Sequence, residues 1–213
     1  MDKVFAIFDM DGTLVDSMGF WRRLGREYLA SKGVTEHVDA VLERIKPMTM
    51  SESAALFIEV FGLAGTPASV AAEMNGVMEA HYRQDIPLKP GADEYLRRLK
   101  RAGVRMCVAS ATAAELMEAC LTRLGVADCF AFLLSCEEVG SGKDRPDVYL
   151  EAARRLGAPP EEIAVYEDAG YALDTARRAG FYTVAVRDGN REGWEALAAR
   201  AHEAVSDWNT AEL

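Results

Sequence analysis

The sequence predicts an α/β fold in which a doubly wound, Rossmann-like parallel sheet is interrupted by an all-helical insert. Short continuous apolar runs, typical of strands buried on both faces, alternate with amphipathic helical patterns over most of the chain. Between residues 17 and 87 only the helical periodicity is present. We therefore expect a core domain of residues 1–16 and 88–213 and a helical domain of residues 17–87.

The core strands are predicted by apolar runs of similar length. The first, Val4–Phe8, ends at Asp9. The later runs are Val104–Ala109, Phe130–Leu134, Ile163–Tyr166 and Tyr182–Val186. Helices are predicted between them, and each is followed directly or closely by a glycine, the residue that commonly ends a helix. These helices are Asp93–Arg101, Ala113–Leu124, Asp147–Leu156 and Leu173–Ala179.

The insert contains several helical segments separated by turn signals. Glycine or proline punctuates it at Gly33, Pro47 and Gly62–Pro67, and the α/β pattern resumes after Pro87–Gly91. The sequence has no internal repeat and no low-complexity segment.

Composition narrows the class of protein. The chain has 213 residues, half of them hydrophobic, enough for one large domain or one domain with a smaller insert. Its formal net charge is −10, which disfavours nucleic-acid and membrane-surface partners. A small anionic substrate remains compatible, because a bound cation or one lysine can reverse the sign of the potential inside a pocket.

The cysteines do not indicate a zinc site. None of the four forms a C-x-x-C pair, and the three histidines lie far from them in sequence. We expect reduced, mostly buried thiols in a cytoplasmic protein. The apolar run Val4–Phe8 is too short for a signal-peptide core or a membrane span.

Polar residues that could take part in catalysis or ligand binding follow several predicted strands. Asp9 and Asp11 come directly after the first strand, and Gly12 lets the backbone turn sharply towards a ligand. An Asx-turn would explain one of these acids but not both. Because ligands bind at the carboxyl edge of open α/β sheets, we interpret this segment as functional.

Three further segments have both structural and functional interpretations. Ser110-Ala111-Thr112 combines hydroxyls and backbone N–H groups at a helix start, which is either an ordinary N-cap or an anion site. Lys143 precedes the helix begun by Pro146 and Asp147, and a lone lysine is usually a solvated charge. Glu167 and Asp168 close a strand and either cap a helix or bind a hard cation such as Mg²⁺.

The combination of these segments favours phosphoryl transfer. Asp9, Asp11, Glu167 and Asp168 would crowd negative charge at one sheet edge, so a divalent cation and Lys143 are expected as counter-charges. A cation and a lysine facing a nucleophilic carboxylate are what phosphoryl transfer requires.

The sequence resembles the haloacid dehalogenase superfamily, in particular its branch containing β-phosphoglucomutase and phosphoglycolate phosphatase. The matching motifs cover nearly the whole chain in the family's order: Asp9 to Ser17, Ser110, Gly142-Lys143 with Pro146-Asp147, and Glu167-Asp168 with Ala179-Gly180. The resemblance implies a Mg²⁺-dependent phosphatase acting on a small phosphorylated metabolite. The helical insert would be the family's cap, which closes over the site and excludes water.

The resemblance also implies roles for individual residues. Asp9 would be the nucleophile that forms an aspartyl-phosphate, and Asp11 would be the acid and base. Expected phosphate or substrate contacts are Met10, Gly12, Ser110, Ala111, Lys143 and, in the cap, Lys46. Expected Mg²⁺ ligands are Asp9, Asp11 through its backbone carbonyl, and Asp168, with Glu167 in or next to that shell. We expect a monomer, with a dimer as the alternative.

The main alternative is a β-phosphoglucomutase-like phosphomutase. The mutases resembled have a cap arginine for a second phosphate, whereas the matching segment here, residues 46–50, has Lys46 and no arginine. The linker segment Met18-Gly19-Phe20-Trp21 lacks the histidine often found there, and Asp144 replaces a usual proline. Ala169 and Ala172 stand where serine and glycine are common. These departures leave the chemistry of the motifs intact, but they argue against a sugar-phosphate mutase and against naming a substrate from the resemblance.

Other reactions and non-enzymes fit less well. Dehalogenases of the superfamily work without the second acid of the first motif, so Asp11 argues against that chemistry. Phosphonate cleavage needs a Schiff-base lysine in the cap, for which Lys46 is the nearby candidate. Receiver domains resemble part of the pattern but lack a helical cap. A catalytically inactive binding protein would normally have lost one of the motif residues, all of which are present.

Overall fold

The sheet is built around β1 (Phe5–Phe8), whose apolar residues pair with a parallel strand on each side. A computed structural model describes residues 3–45, 48, 50–189 and 193–212. The other strands are β2 (Arg105–Ser110), β3 (Phe130–Ser135), β4 (Ile163–Glu167), β5 (Tyr182–Val186) and β6 (Glu203–Val205). They form one six-stranded parallel sheet in the order β3-β2-β1-β4-β5-β6. This is a doubly wound order, so the predicted fold class is confirmed.

The helices follow the predicted alternation. In the inserted segment they are α1 (Met18–Ser31), α2 (Asp39–Ile45), α3 (Met50–Phe61) and α4 (Pro67–Gln84). In the α/β part they are α5 (Ala92–Arg101), α6 (Ala114–Arg123), α7 (Cys136–Val139), α8 (Asp147–Leu156), α9 (Gly170–Arg178) and α10 (Trp194–Ala198). None of the helices in the described part of the chain is long and apolar enough to cross a membrane.

The two faces of β1 are buried in different surroundings. Ile7 lies in a cluster with Val165 of β4 and Val148 of α8. On the opposite face Phe8 stacks on Tyr166, with ring centroids 4.3 Å apart, and also contacts Trp208. Because side chains alternate along a strand, burial on both faces explains the continuous apolar sequence of β1. The strand therefore ends at Asp9 inside a rigid, packed layer.

The chain divides into two compact units, one of residues 1–18 with 86–213 and one of residues 19–85. The second is the helical unit, in which the buried faces of α1, α3 and α4 contribute Tyr28, Phe57 and Met74. Its longest helix, α4, begins with a reciprocal capping box between Thr66 and Ser69. The assignment of this unit as a cap stays a prediction.

Several boundaries differ from the predictions. Val4 lies outside β1 and is exposed, whereas β2 and β4 continue to the polar residues Ser110 and Glu167. The ladder continues because backbone pairing does not depend on side-chain polarity, and Glu167 still pairs with Ala185. Helix α9 begins at Gly170, three residues before the first residue predicted from its apolar pattern. The four cysteines are free and buried, as predicted.

Candidate active site

The ends of three neighbouring strands assemble the candidate site. Asp9 follows β1 directly, Ser110 is the last residue of β2, and Glu167 is the last residue of β4. Strand β1 lies between β2 and β4, so their carboxyl ends meet at the point where the winding of the sheet reverses. Residues more than 150 positions apart in sequence are thereby brought to one edge, as Thr13 and Asp168 show.

Lys143 joins two of these strand ends. Its Nζ atom donates hydrogen bonds to Oδ1 of Asp9 and to Oε1 of Glu167, the latter at 2.6 Å. All three side chains are at most 8% exposed. The lysine is therefore a buried counter-charge rather than a solvated one, and the structural interpretation of Lys143 as a surface residue is wrong.

The two residues that follow Lys143 have other hydrogen-bond or ion-pair partners. The next residue, Asp144, is tied through its backbone oxygen to the hydroxyl of Thr175, at 3.3 Å. Arg145 pairs with Asp147 at 3.1 Å, and its side chain is 68% exposed. Of the two cations in this loop, Lys143 contacts the buried carboxylates and Arg145 does not lie among them.

Three carboxylates form a group that could hold a metal ion. Asp9, Glu167 and Asp168 each offer an oxygen, and these ligand atoms lie within 4.8 Å of one another. An all-oxygen, anionic donor set suits a hard cation such as Mg²⁺ or Ca²⁺. The side chain of Asp11 is not one of the three. Its expected contribution through the backbone carbonyl remains a prediction.

The electrostatics of this group indicate the need for a cation. Burial raises the pKa of Asp9 well above its ordinary value, and the neighbouring Glu167, Asp168 and Asp11 raise it further against the lowering effect of Lys143. Burial, and then Glu167, raise the pKa of Asp168 to about 7. For Lys143, burial opposes the charged form, but Asp9 and Glu167 outweigh it and raise its pKa. A divalent cation would relieve this crowding of carboxylates, so the donor set fits one.

Hydroxyl groups hold the carboxylate of Asp11. Ser17 donates to Oδ1 and Thr112 donates to Oδ2, both at 2.6 Å. Ser110 contributes a long contact to Oδ2, at 3.5 Å, and accepts a hydrogen bond from the backbone N–H of Thr112. Hydroxyls can donate or accept, so this cluster is compatible with both protonation states of Asp11.

The loop between Asp9 and Asp11 is fixed by close packing. Gly12 has φ +83°, and a Cβ atom there would lie 2.3 Å from Oδ2 of Asp168. Glycine is favoured here, because the backbone conformation strains any other residue and a Cβ atom would have to displace the carboxylate of Asp168. The backbone N–H of Gly12 donates to the backbone oxygen of Val15. The glycine therefore leaves space for the side chain of Asp168, and its N–H is not directed at a ligand in this structure. Met10 is fully buried, and its predicted phosphate contact stays a prediction.

The remaining predicted contacts are distributed differently. Ser110 is buried beside Asp11, whereas Ala111 is exposed in the turn that follows β2. Lys46, the predicted cap contact, lies outside the described residues.

Four residues contact the carboxylates although the sequence pattern predicted no such contact for them. They are Thr13 on Asp168, Ser17 and Thr112 on Asp11, and Tyr149, whose hydroxyl donates to Glu167 at 2.8 Å. Thr13, Ser17 and Thr112 stand inside the motifs that the sequence shows, and the hydroxyl of Thr112 was interpreted there as part of an N-cap or an anion site rather than as a partner of Asp11. Tyr149 has the spacing of an ordinary core residue of α8, and nothing in the sequence pattern distinguishes it from a residue that only packs in the core.

Comparisons with known proteins identify the family. The sequence model of the haloacid dehalogenase-like hydrolases matches residues 5–180. A bifunctional riboflavin kinase/FMN phosphatase of Arabidopsis thaliana is 30% identical over 182 residues, which cover 85% of this chain and 48% of that protein. The chain thus matches about half the length of this relative. A fructose-1-phosphate phosphatase of Escherichia coli is 29% identical, with 85% of this chain and 95% of the relative covered.

A solved structure supports the fold. The crystal structure of a β-phosphoglucomutase from Clostridium difficile has a TM-score of 0.72 with 22% identity, over 99% of this chain and 94% of that chain. At this identity the likeness concerns the fold alone. The family match covers most of the chain, so the predicted family and the predicted hydrolase class are confirmed. This chain belongs to the haloacid dehalogenase-like hydrolase family.

Proposed function

We propose that the protein is a Mg²⁺-dependent phosphatase that hydrolyses a small phosphorylated metabolite, of the sugar phosphate class, through an aspartyl-phosphate on Asp9. The observation that carries this proposal is the buried contact of Lys143 with both Asp9 and Glu167, beside Asp168. A lysine and a cation-binding carboxylate group around one nucleophilic carboxylate suit phosphoryl transfer. The fructose-1-phosphate phosphatase among the relatives supports the substrate class.

In the first step, a carboxylate oxygen of Asp9 attacks phosphorus in line with the leaving oxygen. The P–O bond to the leaving group breaks, and an acyl-phosphate bond forms on Asp9. Asp11, two residues further along the loop, donates a proton to the departing oxygen, so the leaving group is released as a neutral alcohol. Lys143 holds Asp9 in one orientation and neutralises charge on the transferred group.

In the second step, water attacks the phosphorus of the aspartyl-phosphate. Asp11, now ionised, accepts the proton of this water, and the bond between phosphorus and Asp9 breaks. Inorganic phosphate leaves, and both carboxyl groups return to their starting states. The hydroxyls of Ser17 and Thr112 keep Asp11 in place in both steps, since each can donate or accept.

Asp9, Glu167 and Asp168 would hold Mg²⁺, with the backbone carbonyl of Asp11 as a further ligand. When bound, Mg²⁺ supplies positive charge to the phosphoryl oxygens and offsets the negative charge of its ligands. The chain's own contribution is the burial and fixed spacing of these carboxylates, within 4.8 Å of one another.

The proposal is tested with a panel of phosphorylated sugars and polyols, each assayed with Mg²⁺ and with excess chelator. Release of inorganic phosphate that depends on Mg²⁺ is expected. Incubation with a sugar 1-phosphate and a trace of the bisphosphate separates hydrolysis from mutase activity. Isomerised sugar phosphate forming much faster than inorganic phosphate would overturn the hydrolase assignment, and full activity in chelator would overturn the metal assignment.

A further inference from the structure

A buried tyrosine hydroxyl supports the carboxylate group from behind. Tyr149 of α8 is 1% exposed, and its hydroxyl donates to Oε1 of Glu167 at 2.8 Å. The same oxygen accepts from Nζ of Lys143 at 2.6 Å. One carboxylate oxygen therefore receives two short hydrogen bonds, one from the loop before α8 and one from α8 itself.

The hydroxyl of Tyr149 is not required by core packing. Its ring packs against Phe181, with centroids 6.1 Å apart, within the apolar cluster between α8 and the sheet. A phenylalanine would fill this position and keep the ring 5.9 Å from Nζ of Lys143. Burying a hydroxyl costs free energy unless it is hydrogen-bonded, so its presence is explained by its partner. That partner is Glu167.

The two short hydrogen bonds fix the orientation of the Glu167 carboxyl group. Oε1 is committed to Lys143 and Tyr149, whereas Oε2 has a long contact of 3.4 Å with the backbone N of Ala169. A carboxylate held by one oxygen presents its other oxygen in a defined direction. Hydrogen bonds of this kind, made to a metal ligand from outside, orient the ligand and tune its affinity for the ion.

We propose that Tyr149 is a positioning residue: it orients Glu167 for Mg²⁺ and, through the shared oxygen, fixes Lys143 against Asp9. This inference rests on the proposed function. The hydroxyl of Tyr149 donates to Glu167, so its effect on the reaction passes through that carboxylate. Its removal therefore weakens metal binding and slows turnover while leaving the KM for substrate nearly unchanged.

The test compares Tyr149→Phe with Tyr95→Phe. Tyr95 is a matched control, because its buried hydroxyl also bonds to a side chain, at 2.8 Å to Tyr166, besides a longer hydrogen bond of 3.4 Å to the backbone oxygen of Glu212. For each protein the unfolding temperature is measured over a range of Mg²⁺ concentrations, and kcat and KM are measured with p-nitrophenyl phosphate. Tyr149→Phe is expected to raise the Mg²⁺ concentration at the midpoint of stabilisation by roughly 10-fold and to lower kcat. Tyr95→Phe is expected to leave both near the wild-type values.

A double-mutant cycle locates the effect. If Tyr149 acts through Glu167, the two changes are not additive, and Tyr149→Phe has no further effect on the Mg²⁺ midpoint in a Glu167→Gln background. Equal Mg²⁺ midpoints for wild type, Tyr149→Phe and Tyr95→Phe would overturn the inference, even if both variants are less stable. Wild-type protein with no response to Mg²⁺ would overturn the proposed function and this inference together. A normal wild-type response without a Tyr149 effect would overturn this inference alone.

Discussion

The carboxyl edge of the sheet and the helical unit use charge in opposite ways. At the sheet edge, Lys143 contacts two carboxylates, and all three side chains are at most 8% exposed. In the helical unit, Lys32 pairs with Glu73 at 2.6 Å, but their side chains are 39% and 48% exposed. Exposed pairs of this kind typically contribute only about 0–1 kcal/mol to stability. Burying a charged side chain costs roughly several kcal/mol of desolvation free energy, which only good pairing offsets.

This difference indicates what each set of charges is for. A fold that needed only stability would gain little from burying Asp9, Glu167 and Asp168 together, since apolar residues of similar size would pack there at lower cost. The buried group is better explained by a reaction that requires a nucleophile, a counter-charge and a cation in fixed positions. The exposed pair of Lys32 and Glu73 requires no such explanation, because its charges stay in contact with water.

The largest expected difference between the two regions comes from isosteric Asp→Asn changes. Asp9→Asn removes the proposed nucleophile, and turnover is expected to fall by roughly 10⁴-fold or more. Stability in chelator should not fall, because the change removes one of three crowded carboxylates. Turnover of p-nitrophenyl phosphate and thermal unfolding measure the two effects.

Asp39→Asn is the matched control for this change. Asp39 pairs with Arg26 in the helical unit, and its side chain is 85% exposed. Its variant should keep wild-type turnover. A phosphoenzyme trapped on a residue other than Asp9 would contradict the assignment of the nucleophile.

A lysine comparison is expected to give the next largest effect. Lys143→Ala removes the charge that holds Asp9 and Glu167, so turnover is expected to fall by roughly 100- to 1,000-fold. The free energy of unfolding is expected to fall by about 3–5 kcal/mol, because two buried carboxylates lose their partner. Steady-state kinetics and urea unfolding provide the measurements.

Two alanine variants of exposed cations serve as controls for Lys143→Ala. Lys32→Ala, in the exposed pair with Glu73, should change neither quantity by much. Arg145→Ala should also be close to wild type, since Arg145 is exposed and pairs with Asp147. Near-normal turnover for Lys143→Ala together with a large loss for Arg145→Ala would reverse the assignment of the phosphate-binding cation.

Alanine substitutions at Gly12 and Gly33 compare how the two regions tolerate a side chain at a positive φ angle. Gly12 and Gly33 have φ of +83° and +79°, so alanine is strained at both. At Gly12 the added Cβ would also lie 2.3 Å from Oδ2 of Asp168, whereas at Gly33 no atom of the described residues, its chain neighbours apart, would lie within 4 Å of it. Gly33→Ala is expected to cost about 1–2 kcal/mol of stability with normal turnover. Gly12→Ala is expected to displace Asp168 and weaken Mg²⁺ activation as well.

The Mg²⁺ concentration for half-maximal activity distinguishes the two glycine variants. Equal activation constants would show that the space beside Gly12 is not needed for the position of Asp168. In that case backbone conformation alone would explain the glycine.

Much of the core could be predicted from sequence because its signals are local. The apolar run of β1 and the acids that follow it are adjacent in the chain, and the sheet topology then brings the strand ends together. Strand β6 was missed because it has only three residues, two of them exposed, and no apolar pattern. It is placed by backbone pairing with β5. Helices α7 and α10 are too short to show a periodicity.

The contacts around the carboxylates could not be predicted in the same way. Thr112 reaches Asp11 across 101 positions, and Tyr149 reaches Glu167 from the buried face of a helix. Spacing along the chain predicts which face of an element a residue occupies, but not which atom of another element it meets. Ser17 is the intermediate case, because its partner Asp11 is only six residues away.

The smallest expected effect is a pH dependence confined to the helical unit. His81 of α4 bonds through Nδ1 to Asp85 at 2.9 Å and through Nε2 to Glu27 at 3.1 Å, and its ring lies 4.7 Å from that of Phe20. Burial alone would lower the pKa of His81, but the hydrogen bonds to the two carboxylates outweigh it and raise the pKa.

A raised histidine pKa means that the folded state binds the proton more tightly than the unfolded state. The stabilisation is therefore fully present below the unfolded pKa of about 6.5 and is lost as pH rises through the higher folded value. Because both carboxylates are about half exposed, the effect should be roughly 1 kcal/mol or less. Amide hydrogen exchange in α4 between pH 6 and pH 8, corrected for the intrinsic exchange rate, measures it. His81→Gln should remove the pH dependence while leaving turnover unchanged, whereas an identical pH dependence in the variant would assign the effect to another group.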